Sequence, residues 1–132
     1  MHRSSTYDRR MSTPRAAMRE PTYFVLAALL DRPLHGYAII KRAEQMSEGR
    51  VRLATGTLYT ALDRLTGQGL VRLVSEEMVS GRIRRCYGLT DEGSAALRAE
   101  AARMAQAARA VTEAGRGAAA RPVRSRRQVR PA

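Results

Sequence analysis

The chain has 132 residues, enough for one compact domain with tails and too few for two ordinary domains. Its 24 basic and 12 acidic residues give a formal net charge of +12, which points to a polyanionic partner, either nucleic acid or an anionic membrane surface. The longest apolar run, YFVLAALL at 23–30, falls far short of the roughly 20 residues that cross a bilayer, so no membrane-spanning helix is expected.

The charge is unevenly placed. Residues 1–20 hold five arginines against Asp8 and Glu20, and residues 115–132 hold six arginines and no acid, so nine of the twelve excess charges lie in the ends. Lys41 is the sole lysine, and the bias towards Arg and Ala is also what GC-rich coding produces. The lone Cys86 cannot form an intrachain disulfide, and the N-terminus has charge without an apolar stretch. A cytoplasmic location is expected.

Residues 1–20 mix Ser, Thr and Arg without an apolar period and read as a disordered basic arm. PTYFVLAALLDRP then opens with Pro21, tolerated in a first turn, and ends before Pro33. A short helix fits between them, apolar almost all round and therefore buried on more than one side. HGYAIIKRAEQMSEG places Tyr37, Ile40 and Ala43 at helical spacing, with Gly49 as a stop. TGTLYTALDRLTGQG aligns Leu58, Leu62 and Leu65 on one face of a third helix, with Thr55 as its expected N-cap and Gly67 and Gly69 closing it.

The texture then changes. LVRLVSEE and RIRRCYGL are short and rich in branched residues, and a loop with Ser80 and Gly81 separates them, which reads as a two-stranded hairpin. TDEG starts a last helix, with Thr90 as N-cap and Asp91 and Glu92 at the positive end of the helix dipole. This helix is expected over 91–114, and 115–132 is expected to be a disordered Arg-rich tail.

Three helices followed by a hairpin are the order of a winged helix-turn-helix, whose third helix enters the major groove while the hairpin touches adjacent backbone. The expected fold is thus α+β, mainly α: a winged helix-turn-helix domain over 21–90 with a C-terminal dimerisation helix over 91–114. On the third helix, Thr55, Gly56 and Thr57 fall in the first turn, where free amides can bind phosphate. Thr60 and Arg64 face outward towards base edges, with Tyr59 on the flank. Asp63 shares that face; it can accept from a cytosine amine or pair with a nearby arginine.

In the hairpin, strict alternation puts Arg82, Arg84 and Cys86 on one face and Ile83, Arg85, Tyr87 and Leu89 on the other. Arg82 and Arg84 are the stronger candidates for phosphate contacts, through the planar donor fork of the guanidinium. Arg85 either lays its stem over the edge of the core or marks a local twist. A charge run of this kind is also what a plain solvated face shows.

The last helix carries Leu97, Ala101, Met104, Ala108 and Val111 at alternating spacings of four and three, a seam for a partner helix. About 24 residues span about 36 Å, more than so small a domain can cover, and a homodimer is expected. No catalytic set, metal site or cofactor is expected: His2, His35 and Cys86 are the soft ligands available and lack zinc-like spacing, and no nucleotide-binding fingerprint occurs.

GTLYTALDRLTGQGLV, followed by GRIRRCYGLTDEG and preceded by LHGYAIIK, resembles the PadR family of bacterial transcriptional regulators over residues 21 to about 112. The resemblance implies a winged-helix domain, one C-terminal dimerisation helix and repression by operator occupancy. Thr60 stands where the family usually has Pro, which leaves it free to contact DNA. Cys86 replaces a usual Tyr and raises the idea of a thiol-sensitive wing. Members that bind drugs use aromatic residues between the dimerisation helices; this chain has no Trp, so an aromatic sandwich is not expected, and any effector is left unidentified.

The resulting expectation is a sequence-specific repressor that binds an inverted-repeat operator in double-stranded DNA. Two other readings stand beside it. One is a non-specific architectural nucleic-acid-binding protein driven by the basic ends, and the other is a protein-interaction or ligand-sensing module.

Overall fold

A computed structural model describes residues 18–120 of the chain. The expectations for the N-terminal arm up to residue 17 and for the tail from 121 onward lie outside the described residues. The chain divides into two units, one ending at Leu97 and one beginning at Arg98.

The first unit opens with α1 (Glu20–Ala28), which has Pro21 in its first turn. Its apolar sequence does what an all-round apolar helix must: Val25, Leu26, Ala27, Ala28 and Leu29 are buried in succession. A two-residue strand, β1 (Leu34–His35), leads directly into α2 (Gly36–Met46). Helix α2 ends as the glycine suggested, though with one more residue in the left-handed region. Glu48 (φ 56°) and Gly49 (φ 85°) both turn back. Their N–H groups bond to Gln45 O at 3.1 Å and Glu44 O at 2.8 Å, the paired bonds of a Schellman stop.

The loop to the third helix hangs on Ser47, buried and donating to Glu44 O while accepting from Val51 N at 2.9 Å. Helix α3 (Thr55–Gly67) buries Leu58, Leu62 and Leu65 as the four-and-three spacing requires. Thr55 is not its N-cap. Ala54 holds that position without a side-chain bond, its carbonyl accepting from Leu58 N at 2.9 Å, so Thr55 stands one place inside the helix. Gly69 (φ 79°) ends α3 with the same paired bonds, Gly69 N to Thr66 O and Leu70 N to Leu65 O.

The hairpin is tighter than expected. Strands β2 (Val71–Val79) and β3 (Arg82–Leu89) are joined by Ser80 and Gly81 alone, both at positive φ (52° and 75°), as a primed two-residue turn requires. Strand β1 adds a third member, giving the sheet order β1-β3-β2 with all pairs antiparallel. Two residues between a proline and a helix give no period to read, so this strand could not be expected from the sequence. The β2–β3 register slips between Leu73 and Ser75, leaving Val74 as a bulge above Gly88, whose Cβ position would lie 3.1 Å from Val74 Cγ2.

Helix α4 (Asp91–Ala120) begins at Thr90, which caps it as expected: Gly93 N donates to Thr90 Oγ1 at 2.9 Å. The same hydroxyl donates to Gly69 O at 2.6 Å, so one side chain ties the end of α3 to the start of α4. The helix runs to Ala120 rather than stopping at 114, because Gly115 and Gly117 are isolated among good helix formers and neither adopts positive φ.

Leu97 departs from its expected role. It is only 4% exposed and belongs to the core with Leu26, Ile39, Leu58, Leu62, Val71 and Tyr87, so it packs within its own domain and is not open to a partner helix. The heptad pattern reads both faces alike, and α4's first two turns belong to the winged-helix core.

Candidate nucleic-acid interface

Helix α3 presents Thr55, Gly56, Thr57, Thr60, Asp63 and Arg64 to solvent, opposite its buried leucines. The amphipathic spacing that buries one face leaves this one free. At Gly56 nothing lies within 4 Å of the place a Cβ would take, and without a side chain there a flat ligand can approach the backbone closely. Arg64 is exposed, and its Nη2 donates to Thr22 Oγ1 on α1 at 3.3 Å. That bond leans its guanidinium towards the α1 side of the helix.

Tyr59 is placed differently from the others. It is half-buried, packs on the core, and its ring centroid is 6.3 Å from that of Tyr87. Its ring therefore braces the domain, with its hydroxyl end set against Gly36.

The wing separates its three arginines by their neighbours. Arg85 sits across from Glu76, and its Nε donates to Glu76 Oε2 at 2.8 Å. This hydrogen bond and the carboxylate's charge hold the Arg85 guanidinium above its ordinary pKa. The bulge at Val74 makes the pairing possible, since it shifts β2 by one residue and brings Glu76 opposite Arg85 on the face shared with Tyr87. Arg82 and Arg84 are exposed and have no hydrogen bond or ion pair among the described residues.

A cleft of about 480 Å³ joins these parts. Thr55 and Tyr59 of α3, Gly36 and Tyr37 of α2, and Arg82 and Arg84 of the wing line it. The start of the third helix and the free wing arginines thus border one concavity, while Thr60 and Arg64 lie outside its lining, further along α3. The contribution of α2 was missed in the sequence; its only signal was the Gly36 that admits the Tyr59 ring.

Beyond Leu97, the other residues of the expected seam differ in exposure. Met104 is 37% and Val111 74% exposed, Ala108 is exposed and Ala101 is half-buried. Among the described residues, no three His, Cys, Asp or Glu side chains gather as a metal site, and no helix is long and apolar enough to cross a membrane.

The model of the PadR-like transcriptional regulator family matches residues 25–99. A transcriptional regulator of Mycobacterium tuberculosis is 38% identical over 98 residues, covering 74% of this chain and 84% of that protein. An uncharacterised 37.1 kDa protein from a Streptomyces fradiae transposon is 48% identical over 82 residues; the match covers 62% of this chain but 22% of that relative's length. The crystal structure of Bacillus subtilis PadR in complex with operator DNA aligns with a TM-score of 0.54 at 24% identity, over 61% of this chain and 46% of that one, a likeness of fold. With the family model spanning more than half of its residues, over the helices and wing just described, the chain belongs to the PadR-like family of transcriptional regulators.

Proposed function

We propose that the protein is a cytoplasmic homodimer that binds an inverted repeat in double-stranded DNA and represses transcription by occupying it. The observation that carries this reading is the shared cleft, where the exposed first turn of α3 and the two unpartnered wing arginines, Arg82 and Arg84, meet. A helix whose outer face is small and polar fits a major groove, and a wing with free guanidinium groups fits the adjacent backbone. Thr55, Gly56 and Thr57 offer amides and hydroxyls to phosphate, while Thr60 and Arg64 reach base edges. The Bacillus subtilis relative was crystallised with operator DNA, which supports the same partner here.

Two such reading heads need a fixed spacing. The seam of Ala101, Met104, Ala108 and Val111 supplies small and apolar side chains for a second copy, and a 30-residue helix is about 45 Å long.

The test is selection from random duplexes, followed by binding titrations over a range of salt. Arg84→Ala is expected to shrink the magnitude of the salt-dependence slope by about 1.8 for the dimer, one phosphate per copy. The chain cut to 18–120 should still prefer the selected inverted repeat. Equal binding of that shortened chain to every duplex, or loss of all binding, counts against the reading and favours an architectural protein driven by its basic ends.

A further inference from the structure

A second, smaller cleft of about 250 Å³ adjoins the first. The two share His35 and Tyr37 in their linings, so the start of α2 is the ridge between them. Neither lining contains an Asp or Glu, in a chain that carries twelve of them. Both contain cations: Arg82 and Arg84 in the first, Arg32, Lys41 and Arg42 in the second.

Arg42 is engaged by Asp31 at 2.9 Å. Arg32 and Lys41 are exposed and have no carboxylate partner among the described residues. Lys41 instead stands 5.6 Å from the centroid of the Tyr37 ring, and Tyr37 is 66% exposed. The cation–π contact keeps the ammonium beside the ridge without neutralising it. Elsewhere in this unit Arg50 pairs with Glu20 and Arg52 lies 3.8 Å from Glu44, while Arg64 donates to the Thr22 hydroxyl. Four cations without a carboxylate partner among the described residues therefore lie along the line of the two adjoining clefts, from the wing edge across Tyr37 to Lys41.

We infer that this line is a track for the sugar–phosphate backbone of one DNA strand, held at Arg82 and Arg84 in the first cleft and at Arg32 and Lys41 in the second. The inference rests on the duplex-binding reading and extends it to a part of the surface, the outer side of α2, that the third helix and the wing do not include. Phosphate contacts of this kind position the protein and carry no base preference. A free phosphorylated ligand offers the same chemistry, so the test has to separate the two.

The experiment uses the full-length protein, the selected operator duplex and an unrelated duplex. Lys41→Gln is expected to weaken both duplexes by the same factor and to reduce the slope magnitude by about 1.8 for the dimer; Arg32→Gln should do likewise, and Lys41→Arg should leave the slope as it is. Lys41 is exposed, so an unchanged melting temperature verifies the fold of the variant. If the unaltered protein prefers its operator and both Gln variants keep its slope, the track is wrong while the functional reading stands. If the unaltered protein prefers no duplex, the functional reading fails first. Loss confined to the operator would make Lys41 a base reader and overturn the track. So would saturable binding of inorganic phosphate or a mononucleotide to the DNA-free protein that Lys41→Gln abolishes, since the site would then serve a free ligand.

Discussion

The hydroxyl end of the Tyr59 ring fills the place that a Cβ on Gly36 would occupy, with Tyr59 Cζ only 2.9 Å from that position. The start of α2 and the first turns of α3 are thereby locked together, at the point where both border the cleft. Gly36→Ala should destabilise the domain by about 1–3 kcal/mol, the usual range for overpacking, measured by urea unfolding. Adding Tyr59→Leu removes the obstructing ring and should recover part of the loss. A double variant no more stable than Gly36→Ala alone would show that the contact is not the cause.

Glu76 restrains Arg85, and removing it should free a third wing cation. Glu76→Gln is expected to change the urea midpoint little, because the pair is solvent-exposed. Duplex affinity should rise and the salt slope should steepen by about 1.8 for a dimer as Arg85 takes a phosphate. An unaltered slope would mean that Arg85 cannot reach DNA even when released.

Burial raises the Tyr87 phenol above its ordinary value of 10.0, against a weaker opposing pull from Arg85. The protonated phenol is the form favoured in the folded state. Its contribution to stability is therefore complete below pH 10 and is lost as pH climbs through the raised value. Urea midpoints measured at increasing alkaline pH should fall more steeply for the unaltered protein than for Tyr87→Phe. Parallel curves would sink the assignment.

Leu97 and Val111 lie on one heptad seam but have separate jobs. Leu97→Ala should cost about 2–5 kcal/mol of domain stability, since the side chain is buried in the core. Val111→Asp should leave domain stability unchanged and weaken self-association by about tenfold or more, because a carboxylate would be desolvated in each copy. Sedimentation across a concentration series reads the second effect, and a dimer unaffected by Val111→Asp would remove the seam from the interface.

The helices were legible because their leucines repeat at a period that only one backbone form can bury. Leu58, Leu62 and Leu65 point one way whatever else the chain does, and the polar residues of α3 follow on the opposite side. Glycine and threonine punctuation was legible for a similar reason. Gly49 and Gly69 supply left-handed stops, and Thr90 supplies a cap, by local geometry. Thr55 misled because a threonine next to a helix start serves as well one residue inside it as at the cap.

Period alone could not say what a buried stripe packs against, which is why Leu97 was read as part of an interface. Nor could strand alternation show that a bulge at Val74 would bring Glu76 opposite Arg85 and leave Arg82 and Arg84 as the free pair. That distinction arises from a partner nine positions away in the chain.

Local sequence was sufficient for the order of the elements, the inward faces and most of the turns, because these depend on backbone geometry and burial within a few residues. The third strand, the cleft and the sorting of arginines into paired and unpaired depend on which distant groups come within a few ångströms of one another. Such proximity is set by the packing of α2, α3 and the wing around one core, and no short window of the chain contains it.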